Sequence, residues 1–226
     1  MNILVCGVGG QGVLLFSDII AEVALSAGLD VKKAEEHGMA QRGGSVTGHI
    51  RYAPKVYSPI IEEGTADIIV AFEMMEALRY VHFLGPNGRL ILDPHRIDPL
   101  PISTGAAERP TDESLNERLS ARVRRTEAEN RDCTALSPTQ ALRGTVPRFP
   151  QDAGNPATSC LVRIPAFATA LELGSSRVQN VVMLGAVSCF LEFPAENFQQ
   201  AITRLVKPKA LELNLKAFAA GRGLGA

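Results

Sequence analysis

"NILVCGVGGQGVLLFSDIIAEVALSAGLDVKKA", residues 2–34, decides the fold. Its first five residues make a nearly continuous apolar run ending on Gly7, as expected of a strand buried on both faces of a parallel sheet. Glycines follow, and then apolar residues recur every three or four positions from Val13 until Gly28 stops the pattern, which predicts a helix. "LDVKKA" reads as a second strand. Strand, glycine loop, helix, strand is a βαβ opening, and it predicts a three-layer α/β/α fold with a Rossmann-like, mostly parallel sheet and right-handed crossovers.

Outward from this opening the alternation continues. "GSVTGHIRY", residues 44–52, alternates and is rich in Thr and Val; only a loop separates it from strand two, so an antiparallel strand enters the sheet here. "ADIIVAF" is another buried strand, "EMMEALRYVHFL" a helix, "GPNG" a loop, and "RLILDP" the next strand. Within "DESLNERLSARVRR", Leu115, Leu119 and Val123 fall every fourth residue, a narrow apolar stripe on one more helix. Residues 136–159 hold four prolines and read as loop, either a mobile excursion or a partner-binding arm. The last third returns to helices, and Leu211, Leu215 and Phe218 of the final one are expected to pack on this core, with a partner surface as the alternative. One domain over residues 1–226, with 104–160 a helical and proline-rich excursion, is the expected organisation.

The 226 residues are 46% hydrophobic and 21% charged, and 23 basic residues against 24 acidic ones give a formal net charge of −1. Such a balance recruits neither nucleic acid nor an anionic membrane surface. No apolar run reaches the roughly 18 residues that span a bilayer, and "MNILVCGVGG" lacks a signal-peptide pattern, so the expected location is the cytoplasm. Cys6, Cys133, Cys160 and Cys189 form no C-x-x-C pair, and the four histidines are scattered, so no metal is expected in this chain.

Gly7, Gly9 and Gly12 satisfy G-x-G-x-x-G between a strand and a helix, where backbone amides can cradle phosphate. A nicotinamide enzyme also needs an acid about twenty residues on to hold the ribose, and Glu35 stands near that place. Against this, the loop carries an extra glycine and the polar Gln11, and no second domain is evident. Three readings stay open: a dinucleotide site in a self-sufficient NAD(P)-dependent oxidoreductase, a structural turn, or the wall of a site for another anion.

The second candidate loop is "EEHGMAQRGGS", residues 35–45. If strands one and two are parallel neighbours, its residues and the glycine loop converge on one crevice at the carboxyl ends of the strands. Arg42 offers a forked, permanent charge to a carboxylate or phosphate, Gly43 and Gly44 let amides approach the same anion, and His37 exchanges protons near neutral pH. Each also has a bland alternative, an ion pair for Arg42 and a hydrogen-bonded loop position for His37.

"GVGGQGV", "EEHGMAQRGGSVTGHIR", "ADIIVAFEMMEALRY", "LILDP" and, late in the chain, "RVQNVVMLGAV" together closely resemble the β subunits of indolepyruvate:ferredoxin oxidoreductases, within the pyruvate/ketoisovalerate oxidoreductase γ-domain family. The resemblance covers residues 1 to about 103 and about 164 to 218. It implies a partner-dependent enzyme, in which this chain carries no cofactor and completes the site for oxidative decarboxylation of a 2-oxo acid, indolepyruvate or another aryl pyruvate, to acyl-coenzyme A. A larger α subunit is then expected to hold thiamine diphosphate, Mg2+ and 4Fe–4S clusters, and ferredoxin to take the electrons. The residues it singles out are Gly9, Gly10, Gln11 and Gly12 as one wall and His37, Met39, Gln41, Arg42, Gly43, Gly44 and Ser45 as the other. Asn180, a polar residue in an apolar helix, is expected to brace a loop more readily than to touch substrate.

Overall fold

The computed structural model describes residues 1–38, 44–98, 102, 105, 108, 110–132 and 160–225, without the side chains of 124–132. Among the described residues six strands form one sheet: β1 (Asn2–Val8), β2 (Asp30–His37), β3 (Ser45–Ala53), β4 (Ala66–Ala71), β5 (Leu84–Leu92) and β6 (Leu161–Arg163). Their order is β2-β3-β1-β4-β5-β6. β1, β4, β5 and β6 run parallel, while β3 is antiparallel to both β1 and β2.

Alternate residues of the central strands enter two separate cores, as a period of two requires. Ile3, Val5, Ile68, Val70 and Ile91 pack under α1 (Val13–Ser26) and four later helices, α4 (Ala166–Glu172), α5 (Gln179–Ser188), α6 (Ala195–Leu205) and α7 (Pro208–Gly225). Leu4, Cys6, Ile69, Leu90 and Leu92 pack on the other side under α2 (Met74–Tyr80) and α3 (Asp112–Asp132). These are the three layers that the apolar alternation predicts. The stripe of α3 is confirmed, with Leu115, Leu119 and Val123 all buried, and Phe218 is buried in the first core.

Two expectations are corrected. β1 and β2 are not neighbours: β2 folds back through a hairpin and β3 inserts between them, pairing Val5 with Gly48 on one side and Gly48 with Glu35 on the other. β2 therefore keeps the direction of β1 but becomes the sheet edge, where Lys32, Lys33 and Glu36 blunt further pairing. "GPNG" is the irregular start of β5 rather than a loop, because the register against β4 shifts between Ala66 and Ile68 and absorbs Pro86 in the bulge. β6 was not foreseen. The proline-rich arm expected over 136–159 lies outside the described residues.

The helix layer over the first core is set by α5 and α7, which meet backbone to backbone. A Cβ on Gly221 would run into the Val182 carbonyl, and one on Gly225 would lie 2.6 Å from the Ala186 oxygen. Because the obstacles are main chain, Gly221→Ala forces the helices apart, and the expected cost is about 1–3 kcal/mol. A thermal melt checks it: a melting temperature equal to the wild type's would show the crossing to be loose.

Candidate functional site at the carboxyl rim

The sheet has a point where its chain direction divides. β1 leads into α1 on one face and its neighbour β4 leads into α2 on the other, so their carboxyl ends form the kind of switch point at which open α/β sheets place a crevice. Polar backbone left there must find partners away from water.

Gln11 supplies them. Its side chain is buried, accepts a hydrogen bond from the Val8 amide (2.7 Å) and donates one to the Phe72 carbonyl (2.9 Å), so a single amide bridges the ends of β1 and β4. Gln179, at the start of α5, reaches the same carbonyl at 3.4 Å and the Asp93 carboxyl at 2.9 Å. Gly12 begins α1 with φ of 77°, a left-handed conformation that suits glycine. Asn180 donates to the Gly12 carbonyl at 3.2 Å, and a Cβ on Gly12 would lie 2.5 Å from its amide nitrogen. Asn180 is thus a brace of the loop, as its place in an apolar helix suggested.

The second loop meets the first directly. The Gly9 amide donates to the Gly44 carbonyl (2.9 Å), and the Gly38 amide to the Ser45 carbonyl (2.9 Å), closing the neck of the hairpin. Gly9 and Gly44 therefore share one rim, although by a different route from adjacent parallel strands: β3 delivers Gly44 to the strand next to Gly9. His37 is exposed at the end of β2, opposite Val46. Gly10 has φ of 104° and open space where a Cβ would stand. Met39, Gln41, Arg42 and Gly43 lie outside the described residues.

Acids at this rim escaped the sequence reading. Glu73 follows β4 and caps α2, accepting from the Met75 (2.6 Å) and Glu76 (3.0 Å) amides and, more distantly, from Ile97 (3.4 Å). Burial pushes its carboxyl above the usual range, against the opposite pull of those amides. Asp93, at the end of β5, accepts from the amides of His95 (3.0 Å) and Phe167 (2.7 Å) as well as from Gln179; burial raises it too. His95 stacks on Phe167 with ring centroids 3.6 Å apart, and burial lowers its basicity although Asp93 opposes this. Glu76 accepts a short hydrogen bond from the Ser45 hydroxyl. The signal was present: "AFEMME" and "LILDP" place acids at the carboxyl ends of buried strands, where a carboxyl needs donors.

A nicotinamide site does not fit. Gly7 lies inside β1, and its Cβ would meet Gln11, Val13 and Phe72 at 2.9–3.1 Å. The amides of Gly9 and Gln11 are already engaged, by Gly44 and Val8. Glu35 sits on the edge strand, one strand removed from β1, and accepts from Lys33 at 2.7 Å.

Comparison with known proteins agrees. The model of the family described as pyruvate ferredoxin/flavodoxin oxidoreductase matches residues 2–224. "Indolepyruvate oxidoreductase subunit IorB" of Archaeoglobus fulgidus is 38% identical over 224 residues, covering 98% of this chain and 93% of the relative. Two solved structures share the fold. The gamma subunit of a keto/oxoacid ferredoxin oxidoreductase from Geobacter sulfurreducens has a TM-score of 0.62 at 19% identity and matches over 99% of this chain and 97% of that one. The 2-oxoglutarate:ferredoxin oxidoreductase of Magnetococcus marinus, solved with 2-oxoglutarate, coenzyme A and succinyl-CoA bound, has a TM-score of 0.66 at 20% identity and matches over all of this chain and 31% of its own.

Gln11→Ala leaves the Val8 amide without its acceptor and the Phe72 carbonyl with only its longer partner, so it should destabilise the chain by about 1–3 kcal/mol. Equilibrium denaturation measures this, and an unchanged midpoint would mean that the bridge is dispensable.

Proposed function

The chain belongs to the pyruvate ferredoxin/flavodoxin oxidoreductase family, and from that premise we propose that it is the subunit of a 2-oxoacid:ferredoxin oxidoreductase that completes the site without carrying a cofactor. The substrate is indolepyruvate or another aryl pyruvate. The reaction breaks the bond between the oxo carbon and the carboxylate, releases carbon dioxide, joins the acyl carbon to the sulfur of coenzyme A, and passes two electrons to ferredoxin with release of one proton.

The chemistry at the oxo carbon is supplied by thiamine diphosphate with Mg2+, and electron transfer by 4Fe–4S clusters, all held by the larger α subunit; ferredoxin meets the assembled complex. This chain's own part is to bind and enclose. Gly9, Gly10, Gln11 and Gly12 form one wall, and His37, Met39, Gln41, Arg42, Gly43, Gly44 and Ser45 the other. Arg42 neutralises the substrate carboxylate or a phosphate of coenzyme A, and closure over the reactive carbon keeps water out. Asn180 and Gln11 hold the first wall in shape rather than touch substrate. The complex works in the cytoplasm, in keeping with the absence, among the described residues, of a helix long and apolar enough to cross a membrane.

The observation that carries this reading is the Gly9 to Gly44 hydrogen bond, which joins the glycine turn to the start of β3 on the rim. Co-expression with the larger subunit should give a complex that reduces ferredoxin when supplied with an aryl 2-oxo acid and coenzyme A. In that complex Arg42→Ala should raise KM for one of the two substrates roughly tenfold to a hundredfold, the loss of a charged hydrogen bond. Unchanged constants for both would remove Arg42 from the site.

A further inference from the structure

The loop that carries Arg42 ends on Ser45, and Ser45 is held from beneath. Its hydroxyl donates to Glu76 Oε2 and lies 3.3 Å from the Tyr80 hydroxyl. Thr47, on the same face of β3, donates to that tyrosine at 2.8 Å. Glu76 is buried, with 6% of its side chain exposed, and its second oxygen faces the exposed Arg79 at 3.6 Å. A carboxyl taken out of water needs a reason. Capping is not that reason, because Glu73 already accepts the amides at the start of α2. The ion pair with Arg79 is a loose one, at 3.6 Å with the guanidinium mostly in solvent, and so offsets little of the cost of burial. What Glu76 does hold is the first residue of β3.

We propose that Glu76 is a positioning residue: through Ser45 it fixes the start of β3 against α2, and so sets where Gly44 meets Gly9 of the glycine turn. The anchoring chain is short. Glu76 holds Ser45, the Ser45 carbonyl accepts the Gly38 amide, and the neighbouring Gly44 carbonyl accepts Gly9. Glu76 itself touches no substrate. The proposal rests on the reading of this loop as a wall of the 2-oxo acid site.

Two readouts test it. Amide hydrogen exchange on the full chain reports the anchor, and steady-state kinetics of the complex with the larger subunit report its use. Ser45→Ala and Glu76→Ala should each speed exchange at the Gly9 and Gly38 amides about tenfold, while Glu76→Gln, which keeps an acceptor for the hydroxyl, should stay within about twofold of wild type. In the complex Ser45→Ala should raise, about tenfold, the same KM that Arg42→Ala raises, and the two changes together should be less than additive. Ser45→Ala removes only one hydroxyl, so the test survives if Glu76→Ala fails to fold. Unchanged exchange at Gly9 and Gly38 overturns the anchor even where Arg42 proves essential. Faster exchange with every kinetic constant unchanged overturns the positioning role. A complex indifferent to Arg42→Ala would instead strike the functional reading, with the exchange result still judging the anchor.

Discussion

The structure turns on one constraint: adjacent parallel strands β1 and β4 send their helices to opposite faces, and the backbone groups exposed at that parting must be satisfied without water. A buried amide or carbonyl left unpaired costs about 1–3 kcal/mol. Gln11 answers for both strands at once, and Gln179 joins it at Phe72 while securing Asp93. The crevice is therefore not an open phosphate cradle. Its floor is knit together by side-chain amides, and the glycines above it are shaped by what lies below, as the close approach of Asn180 to Gly12 illustrates.

From this floor the rest of the rim follows. Antiparallel β3 lies one strand spacing, about 4.8 Å, from β1, so the loop leading into β3 arrives beside the loop leaving β1. A parallel β2 in that place would have started at the opposite edge of the sheet, and its own loop would have met the rim only at its end. The antiparallel insertion gives the rim both an outgoing and an incoming turn, and the hydrogen bond between Gly9 and Gly44 joins them. Below the incoming turn, the second core contributes Glu76 and Tyr80, so the two layers of helices grip the two loops separately: α5 braces the glycine turn through Asn180, and α2 holds Ser45.

Much of this was legible from residues alone, because strong periodicity leaves few choices. "NILVC" and "ADIIVA" are buried on both faces and read so; the α1 pattern and its stop at Gly28, which takes φ of 80°, needed no tertiary information. The antiparallel character of β3 followed from a connection too short for a crossover helix. Strand order was another matter. Whether β3 lies outside β2 or between β2 and β1 is decided by long-range pairing, which local pattern does not encode. β6 has three residues, too few to show a period, and Pro86 in "GPNG" signals a loop unless the bulge opposite Ala66 is known. The buried acids stood at legible places, the ends of buried strands, but part of what holds them comes from distant segments that local pattern does not show: Ile97 for Glu73, Phe167 for Asp93 and Ser45 for Glu76.

The central claim, that this rim closes a site which a larger subunit begins, is tested most directly by the structure of the assembled complex with a 2-oxo acid and coenzyme A bound. The account predicts that the turns at Gly9–Gly12 and His37–Ser45 face the partner's thiamine diphosphate and that one of the bound substrates contacts them. A complex docked through the opposite edge of the sheet, with both turns facing solvent and no substrate within contact distance, would contradict it.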